Sequence, residues 1–225
     1  SPNLVFAACD LAARVTQSVA DCMLNTGQSC DAPTRLLVER SCYDEVVLLA
    51  KQAAEATQVG DPEEEGDHIG PLFDQIQFDR VQAMIHVGIE EGARLIAGGP
   101  GRPDGFGSGW YVRPTVFADV NNTMRIAREE IFGPVLAIIP FDTEEEAVAI
   151  ANDTPYGLAA YVQTGNQDRA ARLARQLRAG AVHINGGAYE YGSPFGGYKA
   201  SGNGREGGEM GLEDFLETKM VHGMS

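Results

Sequence analysis

Apolar positions recur along this chain with two different periods. From Leu11 onward, Leu11, Val15, Val19, Cys22 and Met23 share one helical face, and Asp10 stands where an N-cap belongs. That helix should end at Asn25-Thr26-Gly27. "TRLLVE" then reads as a strand and "YDEVVLLAKQAAEATQ" as a helix. The acidic run "GDPEEEGD" interrupts the pattern as a solvated loop. A long helix follows from about Gln75, with Phe78, Val81, Ile85 and Ile89 on one side. "ARLIAGG" is a short strand closed by glycines, and "GGPGRPDGFGSG" is an exposed loop by composition. "YVRPTVFADV" is strand-like, with Pro114 demoting part of it to an edge or a bend.

The last third alternates more clearly. "VLAIIPF" is a strand, and "TEEEAVAIAND" opens with a capping box, Thr143 with Glu146 three residues on. "LAAYVQT" is a strand, "DRAARLARQL" a helix stopped at Gly180, and "AVHIN" another strand. Strand–helix–strand–helix–strand at these spacings predicts right-handed crossovers and a parallel sheet covered on both faces. The fold class is α/β, in one domain, with no internal repeat and no linker.

Composition narrows the function. At 225 residues, 44% hydrophobic and 22% charged, the chain reads as a globular protein with one sizeable core. A net charge of −15 argues against nucleic acid or an anionic membrane surface as partner, since both would be repelled. Apolar runs such as "VLAIIPF" are far too short to span a bilayer, and the first residues carry no basic-then-apolar signal pattern. Cys9, Cys22, Cys30 and Cys42 form no CxxC or Cys/His cluster, so no metal site is expected. Cysteines this sparse suit a reduced, cytoplasmic protein.

Three stretches could carry chemistry. In "NTGQSCDAPT", Cys30 lies among small polar residues and glycine rather than the apolar neighbours of a buried thiol. It is either an ordinary loop cysteine or a nucleophile, and a nucleophile would need backbone N–H groups, a helix end or a base to favour the thiolate. His68, His86, His183 and His222 lie in an acidic loop, on a helix, in a strand and near the end of the chain, and none is marked as its base. "GNGREG", from Gly202, matches GxGxxG, but no strand precedes it and the chain ends before a second strand and its acid. It is not a cofactor loop; glycines so dense let backbone pass close to another element or a ligand. In "AREEIFGPV", two acids, an aromatic and Gly-Pro just ahead of a buried strand put Glu130 and Phe132 in the turn leading into that strand. Ligands of α/β sheets gather at such loops, although a helix end with solvated acids would look the same.

Taken together, "NTGQSC", "YVRPTVF", "AREEIFGPVL", "NDTPYGLAAYV", "GAVHIN" and "SPFGGYKASGNGRE" resemble, in order and spacing, the motifs of the aldehyde dehydrogenase superfamily. The resemblance covers the C-terminal half of such an enzyme. It implies an α/β catalytic domain over residues 1–211 and a C-terminal oligomerisation strand within 212–225, with the Rossmann-like cofactor domain absent from this chain. Cys30 would be the catalytic nucleophile, its backbone N–H half of an oxyanion hole. Glu130 would hold the nicotinamide ribose of NAD or NADP, with Phe132 against the nicotinamide. Glu206, in "GRE", would be a catalytic proton relay. Phe195 would line the substrate funnel, and the loop "GGAYEYGS" would shape its mouth. The final "FLETKMVHG" resembles a strand that pairs with a neighbouring subunit, implying a homo-oligomer, dimer or tetramer. The implied reaction oxidises an aldehyde to a carboxylic acid through a thiohemiacetal and a thioester on Cys30. The family's general-base glutamate, in an "ELGGK" segment, would fall just upstream of Ser1, so the chain alone is expected to lack dehydrogenase activity. Two rivals remain at this level: a coenzyme A-acylating dehydrogenase, and a non-catalytic fragment that self-associates.

Overall fold

In a computed structural model that describes residues 1–223, seven segments rich in Val, Leu, Ile and Ala pair into one sheet. In chain order the elements begin with β1 (Pro2–Val5), α1 (Leu11–Met23), β2 (Arg35–Glu39) and α2 (Tyr43–Ala56). A two-residue pair, β3 (Gln58–Val59) and β4 (His68–Ile69), closes the acidic loop at its base. Then come α3 (Gln75–Glu90), β5 (Arg94–Ala97), β6 (Thr115–Ala118), the single turn α4 (Arg125–Arg128) and β7 (Val135–Phe141). The chain continues through α5 (Glu144–Asn152), β8 (Ala159–Gln163), α6 (Gln167–Gln176) and β9 (Ala181–Ile184). It finishes with a small pair, β10 (Phe195–Gly196) and β11 (Arg205–Glu206), and α7 (Gly208–Glu213).

The sheet order is β5-β6-β7-β2-β1-β8-β9, parallel throughout except for β5, which runs antiparallel to β6. The inner strands are buried on both faces, which is why they read as unbroken apolar runs rather than as alternations. Successive residues still divide between two cores. Leu36, Val38, Leu136 and Ile138 meet Val15, Val19 and Val46 of α1 and α2 on one face. Leu37, Ala137 and Ile139 turn to the other, against Val81 and Ile85 of α3, Ala147 of α5 and Leu173 of α6.

The helix starts follow their caps. Asp10 accepts from the Ala13 N–H at 3.1 Å, and the Thr143 hydroxyl accepts from the Glu146 N–H at 3.1 Å. Glu146 completes the box one residue further back than expected, accepting from the Asp142 N–H at 2.7 Å.

Two expectations need correction. Ile89 is 41% exposed, because Gly88 faces the core instead; a Cβ on Gly88 would come within 3.0 Å of the Phe117 ring, so the helix lies too close for a side chain there. α6 ends at Gln176 rather than at Gly180, since Leu177 turns extended and buries its side chain with Ala179. "FLETKMVHG" forms no strand among the described residues. Phe215, Leu216, Met220 and Val221 there are exposed. The last two residues of the expected 212–225 extension lie outside the described residues.

Candidate active site

After Met23 the chain leaves α1 through three successive left-handed residues, Asn25 (φ 51°), Thr26 (φ 59°) and Gly27 (φ 70°). A β-branched residue in that region costs roughly 1–2 kcal/mol, so something must hold the turn. The Asn25 Nδ2 donates to the Gln28 carbonyl at 2.9 Å, and the Gln28 Nε2 donates back to the Asn25 carbonyl at 3.0 Å. The Gln28 Oε1 accepts from the Phe73 N–H at 3.0 Å, and the Thr26 hydroxyl donates to the Gly70 carbonyl at 2.9 Å. Each residue of "NTGQ" therefore has a structural task, and the exposed Cys30 sits at the end of the braced turn. Beyond it, the Tyr161 hydroxyl donates to the Asp31 carbonyl at 3.2 Å. Burial pushes the Tyr161 phenol up, so it remains a donor across the ordinary pH range.

Gly27 is where this turn meets the segment of Glu130 and Phe132. A Cβ at Gly27 would lie 2.1 Å from the Gly133 carbonyl oxygen, so only glycine lets the two backbones touch. The second segment is strained in its turn, with Phe132 at φ 57°. The Gln77 Nε2 on α3 donates to both the Ile131 and Phe132 carbonyls, at 2.9 and 2.7 Å, and an Arg80 Nη2 donates to the Glu130 carbonyl. Gln77→Leu strips one buried and one part-buried carbonyl of their donor and should destabilise the protein by about 2–3 kcal/mol. A urea denaturation midpoint that does not move would show that the clamp contributes nothing.

Cys30, Glu130 and Phe132 thereby line one cavity of about 290 Å³, together with Gly27, Arg35 and Arg178. The usual rule for open parallel sheets puts ligands beyond the carboxyl ends of the strands. Here the cavity lies at the amino ends, since Cys30 precedes β2, Glu130 and Phe132 precede β7, and Pro2 and Ala159 open β1 and β8. Two of these loops at strand starts are joined by the Gly27–Gly133 contact.

Phe195 and Glu206 are not part of that cavity. They face each other across the β10–β11 pair and line a second pocket of about 610 Å³ with Asp31, His183, Tyr189 and Tyr191. The residue after Cys30 thus belongs to one pocket and Cys30 to the other. The Cys30 N–H donates to no carbonyl among the described residues and is free to meet an oxygen. "GNGREG" follows a 3-10 turn rather than a strand, and its glycines do permit close passage: a Cβ on Gly196 would lie 2.2 Å from the Gly204 carbonyl oxygen.

The other thiols are set apart by burial, which pushes Cys22 up to about 12 and Cys42 up to about 11, and raises Cys9 as well. All four cysteines are free thiols.

Sequence reasoning missed Gln77 and Arg35, and both left a signal. Gln77 occupies the core-facing stripe of α3 four residues before Val81, where a polar side chain is anomalous unless it has a partner. Arg35 opens a strand buried on both faces and is itself only 6% exposed. Its Nη2 donates to the Asn122 Oδ1 at 2.6 Å and to the Ile150 carbonyl at 2.8 Å, while Nε and Nη1 are buried without a partner. Burial lowers its pKa to about 10, which leaves it charged at neutral pH.

Comparison with known proteins agrees with this architecture. A family model described as "Aldehyde dehydrogenase family" matches residues 1–221. A 3-succinoylsemialdehyde-pyridine dehydrogenase from a Pseudomonas species is 53% identical over 223 residues, covering 99% of this chain and 47% of that protein. The crystal structure of an aldehyde dehydrogenase from Bartonella henselae superposes with a TM-score of 0.95 at 52% identity, over 97% of this chain and 46% of its own. A mutant of aldehyde dehydrogenase C from Pseudomonas syringae, complexed with NAD+ and octanal, superposes with a TM-score of 0.95 at 53% identity, over 97% of this chain and 45% of its own. The chain spans just under half the length of the relatives it matches. It belongs to the aldehyde dehydrogenase family.

Proposed function

We propose that this chain is the catalytic portion of an NAD(P)-dependent aldehyde dehydrogenase, with Cys30 as its nucleophile. The observation that carries the reading is the Gly27–Gly133 contact, which holds an exposed thiol and the pair Glu130 and Phe132 around one cavity. A nicotinamide nucleotide fits the groups found there. Phe132 offers a half-buried ring, Glu130 an exposed carboxylate suited to hydroxyls, and the backbone beneath both is pinned by Gln77 and Arg80. Bound there, the nicotinamide supplies the acceptor for hydride. NAD+ accompanies the Pseudomonas syringae relative, which supports the same class of cofactor here.

The chain's own residues account for the covalent half of the reaction. The Cys30 sulfur adds to the aldehyde carbon, and the carbonyl π electrons move to oxygen. The unengaged Cys30 N–H is a ready donor to that oxyanion. Re-formation of the carbonyl expels hydride from the carbon and leaves an acyl group on sulfur. Water then attacks the thioester, a proton is removed from it, and the sulfur departs as thiolate. Cysteine suits both ends of this sequence, as a strong nucleophile and a good leaving group. Glu206 is assigned the onward relay of the proton, and Phe195 a wall of the substrate channel. The exposed Phe215, Leu216, Met220 and Val221 support self-association through the C-terminal segment.

The test is to quench the complete enzyme during turnover with aldehyde and NAD, then weigh the peptide that contains Cys30. An acyl adduct there, and carboxylic acid released without added thiol, are expected; this chain by itself should reduce little NAD. Turnover without any adduct on that peptide would overturn the reading.

A further inference from the structure

Asparagine is followed by glycine twice in this chain, at Asn185–Gly186 and at Asn203–Gly204 within "GNGREG". Such a step is open to attack by the glycine nitrogen on the asparagine side chain, because glycine has no Cβ to keep the two apart. The fold treats the two steps differently. The Asn185 Oδ1 accepts from the Thr164 N–H at 2.8 Å, and its Nδ2 donates to the Thr164 carbonyl at 2.8 Å, so both ends of that amide are tied down. Asn203 is exposed, and among the described residues neither its side-chain amide nor the Gly204 N–H has a hydrogen-bond partner. The Arg205 Nη1 does hold this loop, donating to the Gly197, Asn203 and Gly204 carbonyls at 2.9, 3.0 and 2.9 Å. Those bonds fall on backbone oxygens, which an attack on the Asn203 side chain leaves in place.

We infer that Asn203 is a site of spontaneous deamidation in the folded protein, that Asn185 is protected, and that the conversion loosens the β10–β11 pair carrying Phe195 and Glu206. The Gly204 nitrogen bonds to the Asn203 side-chain carbonyl carbon and gives up its proton, while the amide nitrogen leaves as ammonia. The product is a five-membered succinimide, which water opens at either carbonyl. Cleavage between nitrogen and the side-chain carbon gives aspartate. Cleavage between nitrogen and the backbone carbon gives isoaspartate, in which the main chain runs through the side chain and is one methylene longer. Water is the only co-reactant. The lengthened chain does not fit where it lies. A Cβ on Gly196 would come within 2.2 Å of the Gly204 carbonyl oxygen, so the two backbones already touch, and one Arg205 nitrogen holds three carbonyls that cannot all stay in reach once Gly204 shifts.

The experiment holds this chain in mildly alkaline buffer at body temperature, folded in one sample and unfolded by guanidinium chloride in another. Trypsin then separates the two steps, into residues 200–205 and residues 179–199, and mass spectrometry follows the exchange of amide for acid in each. Unfolded, the two asparagines should convert at similar rates. Folded, Asn203 is expected to convert at least about tenfold faster than Asn185, the scale on which two hydrogen bonds oppose release of the Asn185 amide. Gly204→Ala should slow Asn203 by about tenfold or more and leave Asn185 unaffected. Its Cβ would meet only the Asp214 carboxylate, at 3.4 Å, so the variant keeps the fold. Backbone hydrogen exchange across residues 195–206 should be faster in converted protein than in fresh. Equal rates for the two steps in the folded chain overturn the inference, as does an Asn203 that stays intact while the unfolded sample converts. Unchanged exchange after conversion overturns the loosening of the strand pair. None of these outcomes bears on whether an acyl adduct forms on Cys30, so the dehydrogenase reading stands or falls separately.

Discussion

Replacing Cys30 with alanine in the complete enzyme is expected to lower aldehyde-dependent NAD reduction by at least about 10⁴-fold in kcat/KM, the scale on which removing a covalent nucleophile acts. The same substitution should change stability by less than about 0.5 kcal/mol, because Cys30 is exposed and its turn is held by other residues. That separation gives the experiment its force: activity disappears while the thermal midpoint stays where it was. Cys9→Ala is the matching control. Cys9 is half-buried on the far side of α1 from the turn, lines neither pocket, and should leave turnover unchanged. Cys30→Ser should resemble the alanine variant, since a hydroxyl is a far poorer nucleophile at neutral pH and its ester holds the acyl group more firmly. Normal turnover by Cys30→Ala would refute the assignment of the nucleophile outright.

The parts of this molecule that were legible in its sequence are those whose cause is local. The helix over Leu11–Met23 follows from a stripe of apolar residues and one aspartate at the right offset, and both do in the fold what the pattern implies. The unbroken apolar runs "RLLV" and "VLAII" follow from burial on two faces, and the structure buries them so. Pro114 delays its strand until Thr115, because proline has no N–H to give to a ladder. What escaped is what depends on distant partners. A polar Gln77 on a core-facing stripe implies a partner, but not that the partners are carbonyls more than fifty residues away. Nothing around Ile89 says that Phe117 will press close enough to need glycine at position 88. The antiparallel pairing of β5 with β6 is likewise a property of the finished sheet. The candidate site divides along the same line. Cys30, Glu130 and Phe132 were visible as residue types in unusual company, but the division of Cys30 and Glu206 between two pockets was not.

The contact that joins those residues makes the second large prediction. Gly27→Ala meets two separate penalties. A left-handed φ of 70° costs an alanine about 1 kcal/mol relative to glycine. The new Cβ would also lie 2.1 Å from the Gly133 oxygen and 2.3 Å from its carbonyl carbon, both backbone atoms that no rotamer change can move aside. Restoring ordinary contact separates the two loops by about 1 Å, and overpacking of that kind adds roughly 1–3 kcal/mol. A total loss of about 2–4 kcal/mol is therefore expected by urea denaturation, with a fall in kcat of about 100-fold, since a displacement near 1 Å spoils the alignment of thiol, substrate and cofactor. Gly92→Ala separates the two causes. Gly92 has φ 87°, but its Cβ would meet nothing within 4 Å, so that variant should lose about 1 kcal/mol and keep its full rate. Should Gly27→Ala behave like Gly92→Ala, the two loops are not held in register by their backbone contact. The geometry around the sulfur would then need another cause.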